Sequence, residues 1–434
     1  RWLLSLPTMV VVNDSVFVHG GLPELTSKFA PARLNQSFSN DLSRYLVVWR
    51  ELVDAGVLPD DEPDRALELG QNGILEDPSA CVEERAVSCE KIEGNEKIEA
   101  LVTELGRLST ALVNRIDSPF WYRGSVYCRD ILERPILDTY LKRLGVSRLI
   151  VGHTPTPDKR VHVIRDGRIV MVDTGMLVSH YKGRPAALVL EQGKKMQVQY
   201  LNPGERFAPE IKELPVAYGL SNSEIEAALA TGNIGSVEHA GNAKSWDVIV
   251  EYEGRSIRAL FYPTGRGRPD TMELAAHALD ELLGTELIPP TVPRRIEDTA
   301  GALQLVYPNT VSEQQRQQRG LHFSGWCPID AQIQLKHVFD LLTDTRARSL
   351  DTIHYRQQSW TLYLVDHSTA FGKSRRLPAG LSKDVLKPPI GAIEALSRLD
   401  ETTLQTALGA WLDRKRIAAL LARRDALLKF VATP

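Results

Sequence analysis

Cysteine is scarce in this 434-residue chain: Cys81, Cys89, Cys128 and Cys327 are the whole complement. None stands in a Cys-x-x-Cys pair, and four are too few to frame a disulfide scaffold. The count therefore points to a reducing compartment and a cytoplasmic protein. A charge excess is missing too. Lys+Arg 52 against Asp+Glu 55 leaves −3, so bulk electrostatics offer no case for nucleic acid or a membrane surface as partner. Long apolar runs are also lacking. The opening stretch, Trp2 to Val18, is broken by Pro7, Asn13 and Asp14, and has neither the length of a membrane span nor the flanks of a signal peptide. There is no internal repeat and no low-complexity tract. What is present, 43% hydrophobic and 25% charged residues, is the composition of a folded globular protein, with length for about two to three domains.

Two halves emerge along the chain. The stretch from Asn202-Pro203-Gly204 to Pro215 holds three prolines and few large apolar groups, and reads as a linker. Before it, the pattern predicts a helix end at Arg1–Leu6, strands at Met9–Val12 and Ser15–His19, and a turn at Asn13-Asp14 between them. The chain opens on Arg1 rather than Met, and a buried strand is an odd first element, so a fragment beginning inside a fold is expected. Pro59 to Asp64 reads as a solvated acidic loop. Ile98, Leu101, Val102, Leu105, Leu108 and Leu112 recur at helical spacing and predict an amphipathic helix over Asn95–Arg115. Leu149–Val151 reads as a short buried strand ending at Gly152. Val161–Ile164 and Ile169–Val172 flank Asp166-Gly167, a hairpin signal, because such a turn needs positive φ.

Two segments carry chemistry: Val16-Phe17-Val18-His19-Gly20-Gly21-Leu22 and Leu149-Ile150-Val151-Gly152-His153-Thr154-Pro155-Thr156. Each places a histidine directly after an apolar strand, with glycine beside it. A strand end holds a side chain rigidly at the rim of a sheet, and glycine lets a metal or anion come close to the backbone. Neutral imidazole ligates Mn, Fe or Zn, so two such histidines on neighbouring strands can share one ion. Taken singly, either histidine is read equally well as a hydrogen-bonded loop residue. In a third segment, Ser118-Pro119-Phe120-Trp121-Tyr122-Arg123-Gly124, an arginine follows an aromatic run. Its guanidinium suits phosphate oxygens as a fork, or packs on Trp121 or Tyr122.

With "VVVNDSVFVHGGL", "SPFWYRG", "LIVGHTPTP" and "GRIVMVDTGM" in place, residues 1–205 resemble the later part of a calcineurin-like metallophosphoesterase. The likeness is to the phosphoprotein-phosphatase branch, particularly the Shewanella-like bacterial phosphatases. It implies an αββα sandwich, present here in part, with two divalent metal ions (Mn, Fe or Zn) at the strand ends. By resemblance His19 and His153 are ligands of one metal and Arg123 holds the substrate phosphate. Asp173 of "VDTGM" reads better as a structural turn carboxylate. The family's Gly-Asp-x-His-Gly, Gly-Asp-x-x-Asp-Arg-Gly and Gly-Asn-His-Glu motifs do not occur in the chain. The expectation is thus an intact enzyme that hydrolyses a phosphorylated protein or a small phosphate ester, and a fragment that is inactive, with no certain catalytic residue of its own.

After a linker at 206–215, residues 216–434 predict a hairpin at Val248–Tyr252 and Ile257–Phe261 around Glu253-Gly254. A helix then runs from Met272 to Gly284, with strands at Leu303–Tyr307 and Trp360–Val365 and a helical tail over Leu404–Val431. Arg414-Lys415-Arg416 on that tail reads as a solvated face. "MELAAHALDELLGTELIPPTV", "GALQLVYP", "VFDLLTDTRARSLDTIHY" and "WTLYLVDHSTAF" resemble the two-lobed α+β kinase-like domains of the HipA, phosphatidylinositol-kinase and Fam20 group. By resemblance Glu273 matches the helix glutamate that pairs with the nucleotide-binding lysine, and Asp366 matches the magnesium-binding aspartate. The lysine itself falls on Tyr262, and the catalytic Asp-Arg falls on Ala347-Arg348. The second-metal asparagine falls near Thr352, beside Asp351. The resemblance therefore implies a pseudokinase with an acidic remnant, which binds Mg, a nucleotide or a protein. The alternatives are a non-catalytic binding or scaffold protein, a dinucleoside polyphosphate hydrolase, and a second half that is still an active kinase.

Overall fold

Short β-branched runs punctuated by turn residues build the first sheet. The computed structural model describes residues 2–60, 91–92, 94–191, 195–201, 206–209, 211, 213–239, 245–264, 272–346 and 348–432. By contact it divides into two units, Arg1–Val126 with Ile136–Ile211, and Tyr127–Pro135 with Lys212–Pro434. Both are mixed α and β.

In the first unit β1 (Met9–Val12) and β2 (Ser15–Val18) pair antiparallel across Asn13, which sits at φ 54°. β2 runs parallel to β3 (Arg148–Val151). β4 (His162–Ile164) and β5 (Ile169–Met171) form the hairpin placed by Asp166-Gly167, and β5 lies parallel to β3. The order is β1-β2-β3-β5-β4. Central parallel strands need cover on both faces, which is why β3 and β5 are almost wholly buried. The first strand is different: β1 is an edge, and Val10, Val11 and Val12 are exposed.

A second, antiparallel sheet comprises β6 (Ala186–Val189), β7 (Gln197–Tyr200) and β8 (Arg206–Phe207). Val198 and Tyr200 from it share a core with Ile150, Val163 and Val170 of the first. The stretch read as a linker thus begins as a strand, because Arg206 and Phe207 pair with Gln199 and Val198. Asn202-Pro203-Gly204 lies outside the described residues, as do Cys81, Cys89 and most of the acidic loop.

Two helices of this unit, α1 (Pro31–Asp54) and α2 (Glu96–Ser109), pack Tyr45, Val48 and Leu52 against Leu101, Leu105 and Leu108. α2 starts where Asn95 accepts a hydrogen bond from the Ile98 N–H. It stops six residues short of the expected end, where the Asn114 side chain donates to the Leu108 carbonyl. α3 (Asp130–Leu144) spans the change of unit at Pro135.

The second unit holds a five-stranded antiparallel sheet, β12-β13-β11-β10-β9. Its strands are β9 (Asn233–His239), β10 (Trp246–Tyr252), β11 (Arg255–Pro263), β12 (Thr291–Ile296) and β13 (Thr299–Leu305). α4 (Asn222–Thr231) begins with a Ser221–Glu224 capping box. α5 (Met272–Leu283) ends at Gly284, φ 67°. A three-stranded sheet follows: β14 (Thr310–Ser312), β15 (Ile353–Arg356) and β16 (Thr361–Leu364). It shares an apolar core with α5, α6 (Ile329–Thr343), α7 (Ile390–Arg398), α8 (Glu401–Leu408) and α9 (Arg414–Ala432). The tail is therefore two helices, interrupted where Asp413 caps the start of α9 by accepting from Arg416 N.

Cysteine is where the structure departs most from the sequence reading. Cys128 and Cys327 form a disulfide, Cα atoms 5.3 Å apart, so the cysteine count no longer argues for a reducing compartment. Beside it Arg129, 2% exposed, donates to the Gln332 side chain at 2.6 Å and to the carbonyls of Glu286 and Leu362. Among the described residues no helix is long and apolar enough to cross a membrane.

Candidate active site

Strand register sets the geometry. Val18 lies opposite Val151 in the parallel β2/β3 pair, so both strands end at the same rim. Gly152 N donates to the His19 carbonyl at 3.0 Å, which extends the ladder one step. His19 and His153 then stand together, ring centroids 4.4 Å apart and planes inclined by 37°. His153 adopts φ 51°, a left-handed conformation that strains a side-chain-bearing residue by about 1–3 kcal/mol. Phe120 stands edge-on to His19 and Trp121 to His153, at 6.2 and 5.8 Å.

Arg123 braces this rim from beneath. It is 5% exposed; its Nε donates to the His153 carbonyl at 3.1 Å and its Nη1 to the carbonyls of Phe120 and Tyr122. Gly20 is required here for space, since a Cβ would lie 2.3 Å from Arg123 Nη1 and 2.6 Å from the Phe120 oxygen. Asp173 accepts from Gly175 N at 2.9 Å, the turn role expected of it. Burial pushes the His19 imidazole below its ordinary pKa, and Arg123 adds to this, with Asp173 opposing. Burial thus favours the neutral ring, the form that ligates a metal.

The donor set fits a nitrogen-ligated divalent ion in part. Two neutral imidazoles suit Mn, Fe or Zn, but among the described residues no third His, Cys, Asp or Glu closes with them into a group compact enough to hold an ion.

In the second unit Tyr262 occupies β11 at the expected lysine position. Burial, then Glu273 and Asp366, push its phenol well above the ordinary range. Glu273, 3% exposed, instead pairs with His367: it accepts from the His367 N–H and lies 2.8 Å from Nδ1. His367 is fully buried, and its Nε2 has no partner among the described residues. The sequence reading missed this histidine, although it adjoins Asp366 at the strand end. Asp366 itself, at φ 54°, accepts from the backbone and hydroxyl of Ser368. Arg348 is held by Asp340 at 2.9 Å and by the Val365 carbonyl; Ala347 lies outside the described residues.

No family model matches this chain. An uncharacterised protein of Schizosaccharomyces pombe is 38% identical over 80 residues, which span 18% of this chain and 23% of that protein. Among solved structures, the proinflammatory kinase CtkA of Helicobacter pylori aligns with a TM-score of 0.31 and 11% identity, over 46% of this chain and 92% of that one. A likeness at that level assigns neither fold nor function.

Proposed function

We propose that the intact protein is a metallophosphoesterase that hydrolyses a phosphate monoester with two divalent metal ions, a phosphorylated protein being its substrate. The observation that carries the proposal is the meeting of His19 and His153 at adjacent parallel strand ends, 4.4 Å apart. Such an ion pair, when bound, lowers the pKa of a water and neutralises phosphate charge. His19 and His153 would hold one ion. Arg123 fixes the His153 loop through its carbonyl and would hold the phosphate. The remaining ligands, the bridging carboxylate and the general acid belong to motifs that these 434 residues do not contain, so the proposal concerns a longer chain, and this one alone is proposed to be inactive. A dinucleoside polyphosphate is the next candidate substrate.

The test is hydrolysis of an aryl phosphate by a longer chain carrying those motifs, with manganese supplied. His19→Ala and His153→Ala are each expected to lower metal content at least about tenfold and remove activity. Arg123→Ala should lose affinity for inorganic phosphate and, because it frees the His153 carbonyl, lower metal content by less than either histidine variant does. An inactive longer chain, or unchanged metal content in the histidine variants, overturns the proposal.

For the second unit the Glu273–His367 pair favours a non-catalytic, pseudokinase role. The glutamate that would position a nucleotide-binding lysine is committed to a buried histidine. Phosphoryl transfer depends on charge placed at the phosphates, and Tyr262 supplies none.

A further inference from the structure

Two helices of the second unit each present a pair of polar groups, one turn apart, to the same cavity. On α4 they are Asn222 and Glu226; on α5 they are His277 and Glu281. Residues four apart share a helix face, so both pairs project together, and the cavity between them holds about 270 Å³. One ligand atom from each of Glu226, His277 and Glu281 lies within 4.8 Å of the others.

The separations are informative. His277 Nε2 is 3.5 Å from Glu226 Oε1, and Nδ1 is 3.7 Å from Glu281 Oε2. Both exceed a good N–H···O distance. Two ligands each ~2.0–2.1 Å from a tetrahedral ion stand ~3.3–3.4 Å apart, close to the Nε2–Oε1 distance. His277 is 8% exposed and no hydrogen bond engages its ring among the described residues. Asn222 lines the same cavity, and its Oδ1 is buried with no partner among the described residues.

Charge points the same way. Among the described residues neither carboxylate pairs with a lysine or arginine. The cavity's two cations are used elsewhere: Arg129 on Gln332 and the Glu286 and Leu362 carbonyls, Arg356 on the Val216 carbonyl. His277 therefore faces two carboxylates that no lysine or arginine offsets among the described residues. An ion taken by one imidazole nitrogen engages all three once the carboxylate that faces the other nitrogen turns towards it.

We infer that Glu226, His277 and Glu281 form a metal site that takes a zinc-type ion in preference to magnesium. The imidazole sets the preference, since magnesium favours an all-oxygen octahedron. Glu281 is more than half exposed, which leaves the ion a path from solvent. Bound there, the ion staples α4 to α5.

The test uses the full chain with His19→Ala and His153→Ala together, so that the proposed phosphatase centre contributes nothing. Zinc chloride is titrated against a chromogenic chelator. One zinc per chain is expected, undisturbed by millimolar magnesium, with an upward shift in thermal unfolding. Adding His277→Ala is expected to weaken binding about a hundredfold, and Glu226→Gln, which preserves shape at a half-buried position, about tenfold. No zinc bound by the double-histidine variant, or binding unaltered by both further substitutions, overturns the site and leaves the phosphatase proposal standing.

Discussion

Two glycines adjoin the paired histidines, and the structure assigns them opposite tolerances. An alanine Cβ at Gly20 would lie 2.3 Å from Arg123 Nη1 and 2.6 Å from the Phe120 carbonyl oxygen. The oxygen is backbone and the guanidinium is pinned by three carbonyls, so neither yields cheaply. Overpacking of this kind costs about 1–3 kcal/mol. In a unit of this size each kcal/mol lowers the melting temperature by about 2–4 °C, so Gly20→Ala is expected to lose roughly 2–12 °C. At Gly152 an added Cβ meets only the His19 oxygen, at 3.5 Å, an ordinary contact. Gly152→Ala should change stability by less than about 1 kcal/mol and even raise it, through the smaller entropy of the unfolded chain. Differential scanning calorimetry of the two variants decides the matter. Equal melting temperatures, or Gly20→Ala above wild type, would refute the packing of Arg123 beneath this rim.

Two further outcomes concern the second unit. The Cys128–Cys327 bond closes a separation of 199 residues, so Cys128→Ser, or reduction with dithiothreitol, should destabilise that unit by about 2–5 kcal/mol in urea unfolding; an unchanged midpoint would show that the bond does not form. Burial raises the Asp280 carboxyl from 3.8 to about 7, against hydrogen bonds from Thr285 and Leu287. Its folded-state proton is held more tightly, so its contribution is complete below about pH 4 and is lost as pH rises towards 7. Wild type should therefore lose on the order of a few kcal/mol across that window relative to Asp280→Asn, and parallel stability profiles for the two proteins would count against a buried, protonated Asp280.

Local punctuation was readable from the chain. Asn13, Asp166-Gly167, Glu253-Gly254 and Gly284 all sit at positive φ in the structure, and each turn or helix end falls where those residues placed it. The proximity of His19 and His153 was also legible, because two strand-end histidines converge whenever their strands are parallel neighbours in register. Features made by distant partners were not. Cys128 and Cys327 carry no local mark of each other. His367 becomes the partner of Glu273 only when β16 and α5 are packed. The Asn222–Glu226 and His277–Glu281 pairs each look like ordinary helix-surface spacing until the two helices share a cavity. The break between α8 and α9 was hidden because Leu412 and Ile417 keep the apolar pattern alive across it.

The nine residues Tyr127–Pro135 carry a consequence for dissection of the molecule. They are embedded in the first half of the chain yet fold with the second, bringing Arg129 and Cys128 to Gln332 and Cys327. A piece expressed from residue 212 onward would lack that peg, leaving two main-chain oxygens, of Glu286 and Leu362, without the Arg129 donor and one thiol without its mate. During synthesis the peg emerges from the ribosome well before its socket, so the later half can complete itself only by reaching back along the chain already made.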